Sequence, residues 1–143
     1  MPEAFAQSDF VFLALPLTPH THHLIGAELS AQARPGTVLV NVGRGSVLRE
    51  SDVADALTLG RLGAYAADVF ELEDWGLDDR PSDIDPRLLG HPSTVFTPHL
   101  GSAVKEVRMA IEEQAAAHLL WGLKQRGCAV EAPPLPRPCW AVS

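Results

Sequence analysis

Four apolar runs, separated by stretches of helical character, constrain this chain more than any other feature of its sequence. Residues 9–17 (D-F-V-F-L-A-L-P-L) and 37–42 (T-V-L-V-N-V) show almost no polar alternation, which suits strands covered on both faces rather than strands with one wet side. Residues 63–70 (G-A-Y-A-A-D-V-F) form a third run, whose small side chains allow close helix packing, and 94–97 a short fourth. Residues 26–33 have the small and polar character of a short helix. From Glu50 onward, Val53, Ala56 and Leu57 share one helical face, with Ser51 placed to cap the start and Gly60 to stop the end. Beyond His99, Val104, Val107, Ile111, Ala115, Leu119 and Gly122 recur at helical spacing within a long helix over 102–124. This alternation predicts an α/β fold with a parallel sheet and right-handed crossovers.

Length and composition agree with a single domain over 1–126. The 143 residues carry enough apolar content for one core, and the formal charge of −7 excludes a broad basic face for nucleic acid or an acidic membrane. No apolar run approaches the ~20 residues of a membrane-spanning helix. Cys128 and Cys139 give no disulfide framework, so the expected setting is the reducing cytoplasm. Residues 127–143, with E-A-P-P-L-P-R-P, read as an extended, disordered tail. The long loop 71–93 is rich in Pro and Asp, carries a helical turn at 86–89, and has the length of a functional segment. The cluster His20, His22 and His23 lacks helical or cysteine support, so it reads as a solvated loop and no metal is expected.

Three polar residues follow apolar runs in chain order: Arg44 in V-N-V-G-R-G-S, Glu73 in D-V-F-E-L-E-D-W and His99 in F-T-P-H-L-G-S. Strand ends are where an open α/β sheet keeps its ligand crevice. Arg44 offers a planar fork of donors that holds a carboxylate or another oxyanion at two points. His99 has an ordinary pKa of about 6.5 and can exchange a proton near neutrality, with Pro98 stiffening its approach. Glu73 can hydrogen-bond His99, set its tautomer and favour the charged ring. Asp68 ends an apolar strand, where a carboxylate needs a partner. Gly43 lacks a Cβ and, with Val42, allows a close backbone approach by a ligand. Gly43-Arg44-Gly45 mimics the opening of a dinucleotide fingerprint, but Leu48 replaces the last glycine and no ribose-reading acid follows at the required distance, so it is no phosphate cradle.

Together V-N-V-G-R-G-S-V, D-V-F-E-L-E and T-P-H-L-G-S, in this order and spacing, resemble the D-isomer-specific 2-hydroxyacid dehydrogenase family over roughly residues 4–126. Within that family E-L-E-D-W, D-R-P and I-D-P-R-L-L-G-H-P most resemble the phosphite dehydrogenases, where other members more often follow the glutamate with proline. The resemblance implies a partial doubly wound, Rossmann-like parallel sheet lacking its N-terminal half, since the Gly-rich phosphate turn and the flanking substrate domain are not among these residues. It implies NAD as cofactor and a small anionic substrate, phosphite or a 2-hydroxy acid. Arg44, Glu73 and His99 become the catalytic group. Leu15, Pro16 and Leu17 lie against the adenosine side of NAD, Val42 and Gly43 pass close to it, and Asp68 and His99 meet the nicotinamide side. Gly101 and Ser102 present N–H groups near the substrate anion, or else Ser102 is simply the helix cap. The expected partner is a second copy or a complementing N-terminal fragment. The reading from another class is a non-catalytic dimerisation or binding module.

Overall fold

The computed structural model describes residues 2–126, so the expected disordered tail and both cysteines lie outside the described residues. A short helix α1 (Pro2–Gln7) leads into strand β1 (Phe10–Leu13), helix α2 (Ala27–Ser30), strand β2 (Thr37–Asn41), helix α3 (Glu50–Thr58) and strand β3 (Leu62–Ala67). Then come the single-turn helix α4 (Pro86–Leu89), strand β4 (Thr94–Phe96) and the long helix α5 (Lys105–Gln125). Two 3-10 turns, Gly45–Val47 and Glu71–Glu73, follow β2 and β3. The strands pair in parallel in the order β1-β2-β3-β4, with Leu39 opposite Val11 and Tyr65. The α/β parallel sheet thus matches the expectation. The described residues divide into two compact units, one ending at His99 and the other beginning at Leu100.

In the first unit, Leu13, Leu39 and Tyr65 point to one side of the sheet and pack with Ile25, Leu29, Val53 and Leu57 from the segments around α2 and α3. The opposite side is bare: Phe10 is 62% and Phe12 66% exposed, and Val95 at the far edge is exposed as well. The prediction of strands covered on both faces is therefore corrected. Continuous apolar character marks surface that must be buried, but in these residues only one face has its helices. The first run also yields only four paired residues, because Ala14 to Leu17 leave the ladder to line a cleft.

Helix ends differ from expectation too. Helix α3 begins at Glu50, with Arg49 rather than Ser51 at the cap position, because the Glu50 N–H is taken by the Glu71 carboxylate. Gly60, at φ +68°, terminates it as expected. Helix α4 falls at 86–89 as read from the sequence, with Asp85 accepting the Arg87 N–H at 2.9 Å and Pro86 opening the turn. In the second unit α5 starts at Lys105 behind Val104, not at Ser102, because the Ala103 N–H turns back to the Leu100 carbonyl at 2.9 Å. Helix α5 leaves Ile111, Leu119 and Trp121 exposed.

Candidate active site

The strand ends carry the site. Asn41, the polar residue near the end of the second apolar run, is fully buried, and its side chain organises the turn that follows. Its Nδ2 donates to the Arg44 carbonyl at 2.9 Å, and its Oδ1 accepts the Gly43 N–H at 3.1 Å. The absence of a Cβ at Gly43 has an internal cause: a Cβ there would lie 2.7 Å from the Leu15 carbonyl oxygen, so β2 could not pass beside residues 13–15. This internal packing demand stands beside the expectation that Gly43 lets a ligand approach the backbone closely, and Gly43 also lines the adjacent cleft. Beyond it, Leu15, Pro16, Leu17, Val42, Gly43 and Arg44 line a cleft of about 570 Å³. Arg44 is exposed and its guanidinium bonds the neighbouring Gly43 carbonyl at 2.8 Å, leaving most of its donors to solvent.

After β3 the chain enters the Glu71–Glu73 turn, seated directly against the Arg44 turn. A Cβ at Gly45 would fall 1.9 Å from the Phe70 carbonyl carbon, so only glycine admits this backbone contact. Within the turn both carboxylate oxygens of Glu73 are engaged. Oε1 accepts the Phe70 N–H at 3.1 Å, and Oε2 meets His99 Nδ1 at 2.5 Å. An ionised carboxylate only accepts, so His99 Nδ1 carries the hydrogen in this contact, and Nε2 is left with a lone pair in the neutral ring. His99 adopts φ +55°, a left-handed conformation uncommon outside glycine and of order 1 kcal/mol above an ordinary one. The ring is 46% exposed and reachable by a ligand. Glu73, Asp74 and Trp75 line a second, neighbouring cavity of about 660 Å³ together with Leu17, Pro19 and His22. Asp68 has the partner its position demands: Thr97 Oγ1 donates to Oδ1 at 2.5 Å.

The structure thus joins Glu73 to His99, sets Arg44 on the adjacent turn, and gathers Leu15 to Leu17 with Val42 and Gly43 around one cleft. Gly101 and Ser102 belong to the second unit, in a turn ahead of α5. Sequence reasoning missed Glu50, Glu71, Asp74 and His23. Glu71 is buried; its Oε1 accepts from His23 Nε2 at 2.6 Å, its Oε2 from the Glu50 N–H at 2.7 Å, and its own N–H donates to Glu50 Oε1 at 2.9 Å. Burial pushes the Glu50 carboxyl above its ordinary value, against the lowering effect of the Glu71 N–H. His23, expected in a solvated loop, is instead tied into this network, with Arg49 3.3 Å from its Nδ1, and stacks on His22 at 3.9 Å between centroids. The signal available was the run E-L-E, in which alternate acids on a tight turn project to different sides. Among the described residues no group of three His, Cys, Asp or Glu side chains is placed to hold a metal, and no helix is long and apolar enough to cross a membrane.

The cleft fits part of a dinucleotide: its walls are apolar or backbone at residues 15–17 and 42–43, at the carboxyl ends of β1 and β2 where open α/β sheets bind such ligands. Comparison with known proteins agrees. The family described as D-isomer specific 2-hydroxyacid dehydrogenase, NAD binding domain, matches residues 1–101. Glyoxylate/hydroxypyruvate reductase B of Pectobacterium atrosepticum is 41% identical over 118 residues, covering 82% of this chain and 35% of that protein. The chain therefore spans about a third of the length of such curated relatives. A glyoxylate reductase from Paecilomyes thermophila superposes with a TM-score of 0.75 at 28% identity, over 93% of this chain and 38% of the other. A probable 2-hydroxyacid dehydrogenase from Rhizobium etli, solved with NADP, HEPES and L(+)-tartaric acid, gives 0.62 at 28% identity over 92% and 39%. With the strand-end cleft and the Glu73 to His99 pair in place, the match over residues 1–101 settles the family: this chain belongs to the D-isomer-specific 2-hydroxyacid dehydrogenases, as part of their NAD-binding domain.

Proposed function

We propose that these residues form the proton-transfer and anion-holding half of an NAD-dependent oxidoreductase acting on phosphite in the cytoplasm. The observation that carries the chemistry is the Glu73 carboxylate, fixed by the Phe70 N–H and bonded to His99 Nδ1 at 2.5 Å, which leaves His99 Nε2 as a base. NAD, when bound, accepts the hydride. Leu15, Pro16, Leu17, Val42 and Gly43 form its adenosine-side wall and Asp68 serves its nicotinamide side, while Gly101 and Ser102 are assigned to the substrate anion by the family resemblance alone. Arg44 clamps the anion through its free donors. His99 removes a proton from the water whose oxygen bonds to phosphorus as the P–H bond is lost, and Glu73 stabilises the resulting imidazolium. The phosphite assignment rests on the E-L-E-D-W and I-D-P-R-L-L-G-H-P stretches.

A second reading is favoured by the relatives named glyoxylate/hydroxypyruvate reductase B. In it Arg44 holds the carboxylate of a 2-hydroxy acid and His99 takes the hydroxyl proton. A chain joining residues 1–143 to the remaining part of such a relative distinguishes the two by side-by-side initial rates. For a phosphite enzyme, kcat/KM with phosphite exceeds that with glycerate or lactate by at least about tenfold, roughly 1.4 kcal/mol in transition-state binding. The reverse order assigns the 2-hydroxy acid, and absence of turnover with either removes the enzymatic reading of this half.

A further inference from the structure

We infer that Asp74 is a positioning residue, whose carboxylate locks the Arg44 turn to the Glu73 turn so that the anion clamp and the base are held in one frame. The inference rests on the proton-transfer reading above and goes beyond it by naming what sets the geometry between its two parts. Asp74 Oδ2 accepts the Ser46 N–H at 2.7 Å across 28 residues of sequence. Ser46 is buried, two residues after Arg44, and its N–H has no backbone acceptor among the described residues, so without Asp74 it would be an unpaired buried donor. Asp74 follows Glu73 directly. Its own N–H bonds back to the Glu71 carbonyl at 3.2 Å and its carbonyl accepts the Leu77 N–H at 2.9 Å, so its backbone belongs to the turn that presents Glu73.

The strap closes a contact that is already close. Gly45 abuts Phe70 and Glu71 backbone to backbone, and Glu73 in turn holds His99. Movement of the Arg44 turn relative to the Phe70 backbone is therefore limited at two points, approach by the steric contact at Gly45 and separation by the bond to Asp74. Only the second prevents separation. A charge-assisted N–H to carboxylate bond is among the stronger neutral-donor contacts available, and Asp74 is half-buried, where it is screened less than on the open surface.

Amide hydrogen exchange and histidine ring NMR on the 143-residue chain test this with no activity readout. Asp74→Ala should speed exchange of the Ser46 and Glu73 amides by at least about tenfold, while amides in β2 and β3 keep their protection, and should shift the His99 ring signals toward the free tautomer mixture. Asp74→Asn, whose amide oxygen still accepts from Ser46, should restore most of the protection. Unchanged Glu73 and His99 signals in a folded Asp74→Ala chain would overturn the inference, as would Asp74→Asn loosening both turns as much as alanine. A wild-type His99 ring with no fixed tautomer would instead sink the Glu73 to His99 reading, and the Ser46 and Glu73 amides would still decide the role of Asp74.

Discussion

One 3-10 turn serves two histidines in opposite ways. Glu71 faces inward and bonds His23; two residues on, Glu73 faces outward and bonds His99. The contacts are nearly equal in length, 2.6 and 2.5 Å, and both histidines adopt left-handed backbone conformations, φ +49° and +55°. What separates them is exposure. The side chains of His23 and Glu71 are 21% and 8% exposed, those of His99 and Glu73 46% and 28%. Both nitrogens of His23 face partners, Glu71 and Arg49, whereas His99 has one nitrogen engaged and one available. A histidine bonded to a carboxylate is therefore not a site in itself; the spare nitrogen and the open face make it one.

Breaking the inner pair should have the largest effect. Glu71→Ala removes the acceptor of the Glu50 N–H and strands His23, so denaturant unfolding of the chain should show a loss of about 3 kcal/mol. Glu73→Ala, on a more exposed pair, should cost less than about 1 kcal/mol in the same measurement. Equal losses would erase the distinction between a structural and a chemical pair.

The outer pair is sharpened by kinetics in a chain completed with the remaining part of a relative. His99→Ala should lower kcat by about 10²-fold, roughly 2.7 kcal/mol, by removing the general base. Arg44→Lys should leave kcat closer to normal and raise KM, since a point charge replaces the fork. A His99→Ala enzyme with near-normal kcat would take His99 out of the chemistry.

How much of this was legible depended on whether a signal was local. The α4 turn was legible because Asp85, Pro86 and Gly90 mark both of its ends within a few residues. The outward pair was legible because E-L-E-D-W and T-P-H-L-G-S each follow an apolar run that fixes where the polar group emerges. Asp68 was legible as a carboxylate in need of a partner, though not that the partner is Thr97. The inner network was not: Glu50, Glu71 and His23 meet across 21 and 48 residues, and no local pattern separates Glu71 from Glu73. Strand ends failed for another reason. Apolar character continues through Leu15 and Leu17 after pairing stops, because those side chains line the clefts rather than the sheet. The bare face with Phe10 and Phe12 was hidden by the same ambiguity, since sequence registers a need for cover and not whether cover is present.

The smallest expected effect probes the inner pair through pH. Glu50 lies beside Glu71 with little solvent, and its carboxyl is raised from the ordinary 4.5, first by burial and then by the neighbouring carboxylate. A group whose folded value lies above its unfolded one contributes its full stability below about pH 4.5 and loses it as pH rises through the folded value. Glu50→Gln imitates the protonated acid at every pH while keeping an oxygen for the Glu71 N–H. Thermal melts should therefore match wild type near pH 4 and exceed it by a few degrees at pH 8. Asp85, held low by Arg87, loses stability in the opposite direction as pH falls below its ordinary 3.8, but it does so in both proteins and cancels from the difference. A gap that is equal at the two pH values, or larger at pH 4, would mean that the inner carboxylates are solvated like the outer one, and the division of the turn into two unlike halves would fail.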